Sequence, residues 1–371
     1  MASSKKNDVI SVAPPHSVKK FELISEYVKA WIQILMLNPK CKGIVYIDCM
    51  SNSGVYKNDD GEEIKGTPLL VSEIIADAMQ TYPNKQAYLY FNDLNEKKID
   101  LLNTRLPKQT GNFHIYTEVM DANKMLRIIG DQFAQMMKDM HFLLVYDPYD
   151  AHIEWDALTP FLQNWGEIII NHMVSDTIRA ARTAKRPEVI EKYEETYQMS
   201  LDELIDIGSD RNVFEQQIEK LILEGSRRDT GKYYIASFPF FISTNTVVYN
   251  LIHCTGHKKG FDLFKSTAWK TFGDKSSIKN TNNKSNQMSF RISDAGEMIY
   301  EVESDESCYN LQDAARYVYK KFRGRMDVPN DEVWDYLSEH PIFPVLNYKN
   351  KIKDVLKNEF GVKTSRSTMS F

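Results

Sequence analysis

"YIDCMSNSGVY", residues 46–56, decides how the rest of the chain is read. The apolar run Gly43-Ile44-Val45 continues into Tyr46-Ile47-Asp48, and Gly54 follows where a tight loop needs a residue that accepts positive φ. A loop that lays its backbone against a nucleoside or phosphate normally carries two or three glycines. Here Asn52 and Ser53 stand in that place. Asn accepts left-handed backbone angles better than any other residue except glycine, so Asn52 can keep the turn. Its side chain adds bulk that a ligand on the backbone must avoid.

The same strand-and-loop pattern recurs downstream. Strand-like runs fall at 43–48, 87–92, 113–118, 142–147 and 167–172, separated by helical periodicity at about 67–81, 95–106, 121–138 and 154–164. Near-continuous apolar strands alternating with helices of ten residues or so predict an α/β fold, a Rossmann-like parallel sheet with helices on both faces. Ahead of it, residues 1–16 read as a flexible arm. The segment 17–37 places Phe21, Ile24, Tyr27, Val28, Trp31 and Leu35 on one helical stripe. Residues 175–228 read as a charged helical insertion. "KYYIASFPFFI" and "NTVVYNLIHCTGH" then read as an antiparallel hairpin, followed by a helix over 260–272. A polar, mobile loop is expected at 273–286 within a linker 273–308. Three short helices over 309–371 suggest a small winged-helix-like module.

Bulk properties narrow the classes. No apolar run reaches the ~20 residues that span a bilayer, and residues 1–20 lack the apolar core of a signal peptide, so a cytoplasmic location is expected. The four cysteines form no C-x-x-C pair, which argues against a zinc ribbon or a disulfide framework. A net charge of −5 offers no global attraction to nucleic acid, so any such binding must rest on a local patch.

Open parallel sheets bind ligands beyond the carboxyl ends of their strands. Those ends carry Asp48, Asp93, Asp121, Asp147 and Asn171. An acid after the second strand suits the two hydroxyls of a ribose, and a polar residue after the third suits the amino group of an adenine. The competing expectation is that Asp93 and Asp121 cap the next helix. "DPYD", residues 147–150, ends the fourth strand. There Asp147 or adjacent carbonyls can accept from an exocyclic amine, Pro148 enforces an extended turn, and Tyr149 offers a ring for a base to stack on. Holding an amine in this way directs its lone pair at an electrophilic methyl.

In this order and register the strand ends resemble the methyltransferase sheet that binds S-adenosylmethionine. More narrowly, the chain resembles the three-Cys-motif partner protein family, TcmP. The resemblance rests on Tyr27 and Trp31, on Ile47-Asp48 with Gly54-Val55-Tyr56, and on Gly66-Thr67-Pro68-Leu69. It continues through Asp147-Pro148-Tyr149, Trp155 with Leu158, Glu167 with Asn171, and Arg179, covering most of 17–272. It departs from the family's Phe-Ala-Gly at Met50-Ser51-Asn52. The resemblance implies S-adenosylmethionine as cofactor, with Asp48, Ser51, Asn52 and Gly54 at its amino-acid end, Asp93 at the ribose and Asp121 at the adenine. Asp147, Pro148 and Tyr149 would position an exocyclic amine of a nucleobase in DNA or RNA. It also implies a separate partner with three cysteines, related to radical S-adenosylmethionine proteins. The alternative is a degenerate methyltransferase fold that binds nucleic acid or scaffolds that partner without chemistry.

Other candidates are His172 as a base and His253-Cys254-Thr255-Gly256-His257 as a metal site; packing is favoured for the first, and no metal is assigned. Lysines across 258–284, with Phe264, Trp269 and Phe272 among them, suggest a groove that tracks a nucleic-acid backbone, against the plainer reading of a solvated face, and most of these aromatics are expected on the buried stripe of the helix. Neither a G-x-S-x-G motif nor a Walker loop is present.

Overall fold

All six residues of Gly43–Asp48 are buried, and the strand they form is the centre of the molecule. The computed structural model describes residues 9–136, 139–148, 152–173, 186–200, 202–203, 211–226, 232–279, 288–292, 298–302 and 307–371. One seven-stranded sheet contains β1 (Gly43–Asp48), β2 (Gln86–Asn92), β3 (Phe113–Glu118), β4 (Met140–Tyr146), β5 (Gly166–His172), β6 (Tyr234–Phe241) and β7 (Val247–Thr255). Their order is β3-β2-β1-β4-β5-β7-β6. The first five run parallel, and β7 is antiparallel to both of its neighbours. Strand positions match the apolar runs to within one or two residues. This is the α/β, Rossmann-like sheet that the alternation predicts, extended by the antiparallel β6–β7 pair into the mixed seven-stranded form typical of methyltransferases.

The period of two sorts β1 into both cores. Ile44 and Tyr46 face α1 (Pro15–Leu37), α2 (Thr67–Thr81) and α3 (Glu96–Asn103); Val45 and Ile47 face α4 (Ala122–Met136) and α5 (Trp155–Leu162). The second core also takes in residues of α6 (Pro187–Tyr197) and α7 (Arg211–Ser226), which lie in the segment expected to be a helical insertion. Its remaining residues, 175–185, 201, 204–210 and 227–228, lie outside those described.

Helix α1 starts on a proline, whose missing N–H costs nothing at that position. Its 23 residues make it about 34 Å long. It therefore runs the height of the sheet, from the strand tips to the opposite edge. Halfway along, the Tyr27 hydroxyl donates to the Glu167 carboxylate of β5, and His253 Nε2 of β7 lies 2.7 Å from the same oxygen. His141 Nε2 is 3.9 Å from the other oxygen. Burial opposes the Glu167 charge, but the His253 and Tyr27 hydrogen bonds and the nearby His253 and His141 rings outweigh it. They hold the carboxyl below its usual range. Burial also drives the His141 imidazole down to about 4.

Helix α8 (Lys258–Thr271) follows β7. One side packs on α1 and the sheet; the other carries α9 (Leu311–Phe322), α10 (Asn330–Ser338) and α11 (Lys349–Phe360). Short strands at Val328–Pro329, Lys363–Thr364 and Thr368–Ser370 pair with the last in the middle, the arrangement of a winged helix. Lys265 of α8 is fully buried and donates to Ser338 O and His340 O at the carboxyl end of α10. Trp269 Nε1 donates to Ile342 O at 2.9 Å.

The burial expected of the aromatics in 258–284 is met, and the expectation of a mobile loop at 273–286 needs correction. Phe264, Trp269 and Phe272 are all buried between α1, the sheet and the C-terminal helices, so they offer no stacking face to a nucleic acid. The start of the expected mobile loop is anchored: Ser276 N donates to Tyr309 O, and Ser276 and Ser277 are buried. The interval expected as linker also contains a hairpin, Met288–Ile292 with Met298–Val302.

Removing the Glu167 charge leaves two buried donors facing a weaker acceptor. Glu167→Gln is expected to cost roughly 3–5 kcal/mol at pH 7 in chemical denaturation. The folded chain keeps Glu167 ionised and His141 neutral more strongly than the unfolded chain does. The His141 contribution to stability should thus be lost as pH drops from about 6.5 towards 4, and the Glu167 contribution below the usual carboxylate range. The gap to Glu167→Gln should narrow over that lower range.

Candidate functional site

The chain leaves β1 for β2 on one side and later returns to β4 on the other. This makes the crevice between the tips of β1 and β4 the switch point at which such sheets bind ligands. Asp48 ends β1, and Asp147 follows β4. Asp48 is buried and, among the described residues, accepts a single long hydrogen bond, from Met50 N at 3.3 Å. Burial first, and then the nearby Asp147 charge, push its carboxyl up to about 7.

Asp147 is held from two directions. Lys20 Nζ, from the first turns of α1, donates to one oxygen; Asn171 Nδ2, from β5, donates to the other at 2.5 Å. Lys20 is itself buried and lies 5.2 Å from the centre of the Tyr249 ring. The sequence reading passed over Lys20. Its signal was a lysine on the apolar stripe, four residues before Ile24 and seven before Tyr27. Pro148 is buried beside this cluster; Tyr149 lies outside the described residues.

The loop after β1 turns through two left-handed residues, Asn52 at φ 58° and Gly54 at φ 68°. The Asn52 amide folds back on its own loop, Oδ1 accepting from Ser53 N at 2.7 Å. Ser51 N donates to Asn92 O at 2.7 Å, and Ser51 Oγ reaches the same carbonyl. Gly54 is obligatory on two counts: its φ, and an added Cβ that would lie 2.7 Å from Leu102 Cδ1 and 2.9 Å from Leu69 Cγ.

At the tip of β2, both Asp93 oxygens accept backbone N–H groups, Oδ2 from Asn52 at 3.1 Å and Oδ1 from Asn95 at 2.9 Å. Asn92, also missed, ties three strand ends together. Its Nδ2 donates to Cys49 O and Met120 O, and its Oδ1 accepts from Met120 N. Asp121 is exposed and accepts from Lys124 N at 3.0 Å, capping α4. His172 meets the Tyr197 hydroxyl at 2.7 Å inside the core. His253 is committed to Glu167, while His257 is exposed at the far edge of the sheet. Asp48, Asp93 and Asp147 are thus brought together with Ser51, Asn52 and Gly54, and Asp121 stands at the margin.

The raised Asp48 carboxyl makes stability fall as pH rises from about 4 to about 7, because the unfolded chain releases that proton earlier. Asp48→Asn should remove this loss. It is expected to stabilise the protein at pH 8 by up to about 4 kcal/mol, with little effect at pH 4, as read by thermal unfolding.

Comparison with known proteins adds distant structural likeness only. No family model matches the chain, and no curated protein matches it in sequence. A Legionella pneumophila protein of the family model DUF519 aligns at TM-score 0.41 and 12% identity, over 68% of this chain and 92% of its own. An O-methyltransferase from Bacillus cereus in complex with SAH aligns at TM-score 0.32 and 10% identity, over 62% and 80%. Human methyltransferase-like protein 13 in complex with SAH aligns at TM-score 0.33 and 8% identity, over 69% and 91%. The fold class stands on the strand order itself: the chain has a methyltransferase-like sheet with an added, mainly helical C-terminal region.

Proposed function

We propose that the protein binds S-adenosylmethionine across the tips of β1 and β2 and methylates an exocyclic amine of a nucleobase. One observation carries this reading. Asp48, Asp93 and Asp147 converge at the switch point, and Lys20 is the cation bonded there among the described residues. The cluster suits a ligand that brings positive charge. When bound, S-adenosylmethionine supplies an electrophilic methyl on a sulfonium and a cationic amino group. Asp48 and the 51–54 loop would face its amino-acid end, Asp93 its ribose and Asp121 its adenine. A carboxylate has about four acceptor sites, so Asp147 keeps capacity beyond Lys20 and Asn171. Paired with Lys20, it would hold an acceptor amine without becoming a strong base. Pro148 and Tyr149 would complete that pocket.

A nucleic-acid acceptor is supported by the C-terminal module. Residues 309–371 hold eleven lysines and arginines against eight acids, in a chain of net charge −5. Lys349, Lys351, Lys357, Lys363 and Arg366 are exposed on α11 and the adjoining strand turn. The third helix and the turn between the last two strands are the parts of a winged helix placed to meet a duplex.

The second reading is a binding scaffold, for nucleic acid or for a three-cysteine partner protein. It is favoured by Asp93, whose two oxygens already accept the protein's own amides. Calorimetry separates the two. Sub-millimolar binding of S-adenosylmethionine is expected, abolished by Asp93→Ala; Asp147→Asn should spare binding and remove turnover. No heat at millimolar cofactor would sink the enzyme reading and leave the scaffold. Separately, duplex binding by the full chain should weaken steeply with salt, and Lys349→Glu with Lys357→Glu should flatten the log–log slope by about two.

A further inference from the structure

Asp48 and Asp147 leave the same face of neighbouring strands. Val145 stands beside Asp48 in the β1–β4 register, and Asp147 follows two positions later. That face is the one α1 covers, since Tyr46 and Val145 both belong to its core. Lys20 reaches down from α1, but its ammonium is bonded to Asp147. Asp48, 4% exposed, is left with the one long bond from Met50 N.

Two more polar atoms of this cluster are unused. The Tyr46 hydroxyl, close enough to feel the charges of Asp48 and Asp147, has no hydrogen-bond partner among the described residues. Neither has Asn171 Oδ1, although the nitrogen of the same amide is bonded to Asp147. Buried polar groups are normally satisfied, so the cluster is short of hydrogen-bond partners and of positive charge.

The charges that reach Asp48 come from Asp147 after β4, Lys20 on α1 and Asp93 after β2. Burial raises its carboxyl most, Asp147 next and Asp93 least; the Met50 N–H and Lys20 oppose them, and the balance is about 7. Burial and the same carboxylates keep Tyr46 and Cys49 protonated, and burial with Asp147 does so for Tyr249 on β7. On α1, burial and Lys20 lower the His16 imidazole, which is neutral at pH 7.

We infer that the strand-tip site exchanges a proton for a cation: Asp48 is protonated in the empty site and gives its proton to solvent when the ammonium group of a ligand's amino-acid end enters. This rests on the S-adenosylmethionine reading and adds to it a control by pH. A protonated Asp48 spares the empty protein a further buried negative charge beside Asp147 and Asp93. An ammonium group brings N–H donors and the missing charge, and the carboxyl ionises to meet it. Ligand binding and proton release are then linked in both directions, so acid opposes the ligand.

Calorimetry of the full chain tests this with S-adenosylmethionine and with 5′-deoxy-5′-methylthioadenosine, which keeps adenine and ribose but has no ammonium group. At pH 6.5, heats in two buffers of different ionisation enthalpy should show release of most of a proton per S-adenosylmethionine bound. Methylthioadenosine should release none. The first ligand should bind about tenfold more weakly at pH 6 than at pH 7.5, and the second equally at both. Asp48→Asn should weaken S-adenosylmethionine, abolish the proton release and flatten the pH profile, with circular dichroism reporting the fold. Asp147→Asn removes the adjacent like charge and frees Lys20, so the profile should move to lower pH. Binding of S-adenosylmethionine without proton release, or an unchanged pH profile in Asp48→Asn, would overturn the exchange and leave the cofactor reading standing. No heat from either ligand at millimolar concentration and pH 7.5 would overturn both.

Discussion

A lysine placed on the apolar stripe of a buried helix is tolerable only if something in the interior takes its charge. Lys20 finds Asp147, and the rest of the strand-tip cluster is arranged around that pair. The bond joins the first helix of the chain to the tip of the fourth strand, across the crevice where the sheet changes direction. It also leaves Asp48 as the acid without a counter-charge of its own, which is why burial and the Asp147 field raise its carboxyl so far. Lys20 and Asp147 both act on the Asp48 carboxyl, so the seat of α1 and the ionisation of Asp48 are set together.

The same helix is fastened a second time by Tyr27 to Glu167, and between these two points lie the buried Phe21, Leu23 and Ile24 of its apolar stripe. Both fastenings are polar; the Tyr27–Glu167 bond is buried and the Lys20–Asp147 bond partly so. A purely apolar stripe would allow α1 to slide along the sheet by a turn; two hydrogen-bonded carboxylates allow one position. On the far side, α8 does the equivalent for the C-terminal helices, with Lys265 bonded to the end of α10.

Much of the fold was legible because it rests on local periodicity. The apolar runs located β1 to β5, and the spacing of Phe21, Ile24, Tyr27 and Trp31 located α1. What could not be read were partnerships between distant positions. Lys20 and Asp147 are 127 residues apart, and Tyr27 and Glu167 are 140 apart. Nothing in the local pattern of either member announces the other. The lysines of 258–284 misled for the same reason: Lys265 looked like a solvated charge until α10 was placed over it. The acids at the strand ends were found as candidates, because strand tips carry polar groups by topology. Their hydrogen-bond commitments, such as Asp93 to two amides and Asp121 to a helix cap, depended on loop geometry that spacing does not encode.

The left-handed turn at Asn52 has a consequence for how a ligand would arrive. Glycine-rich loops lose much backbone entropy on folding and often stay loose until a ligand orders them. An Asn-Ser sequence has fewer conformations to lose, and here its side chain and backbone are bonded to the loop and to Asp93 before any ligand is present. The loop is therefore a stiff socket rather than a closing flap. A ligand that fits it meets little ordering penalty, and one that does not fit cannot remodel it, so selectivity at this end is set by shape fixed in advance.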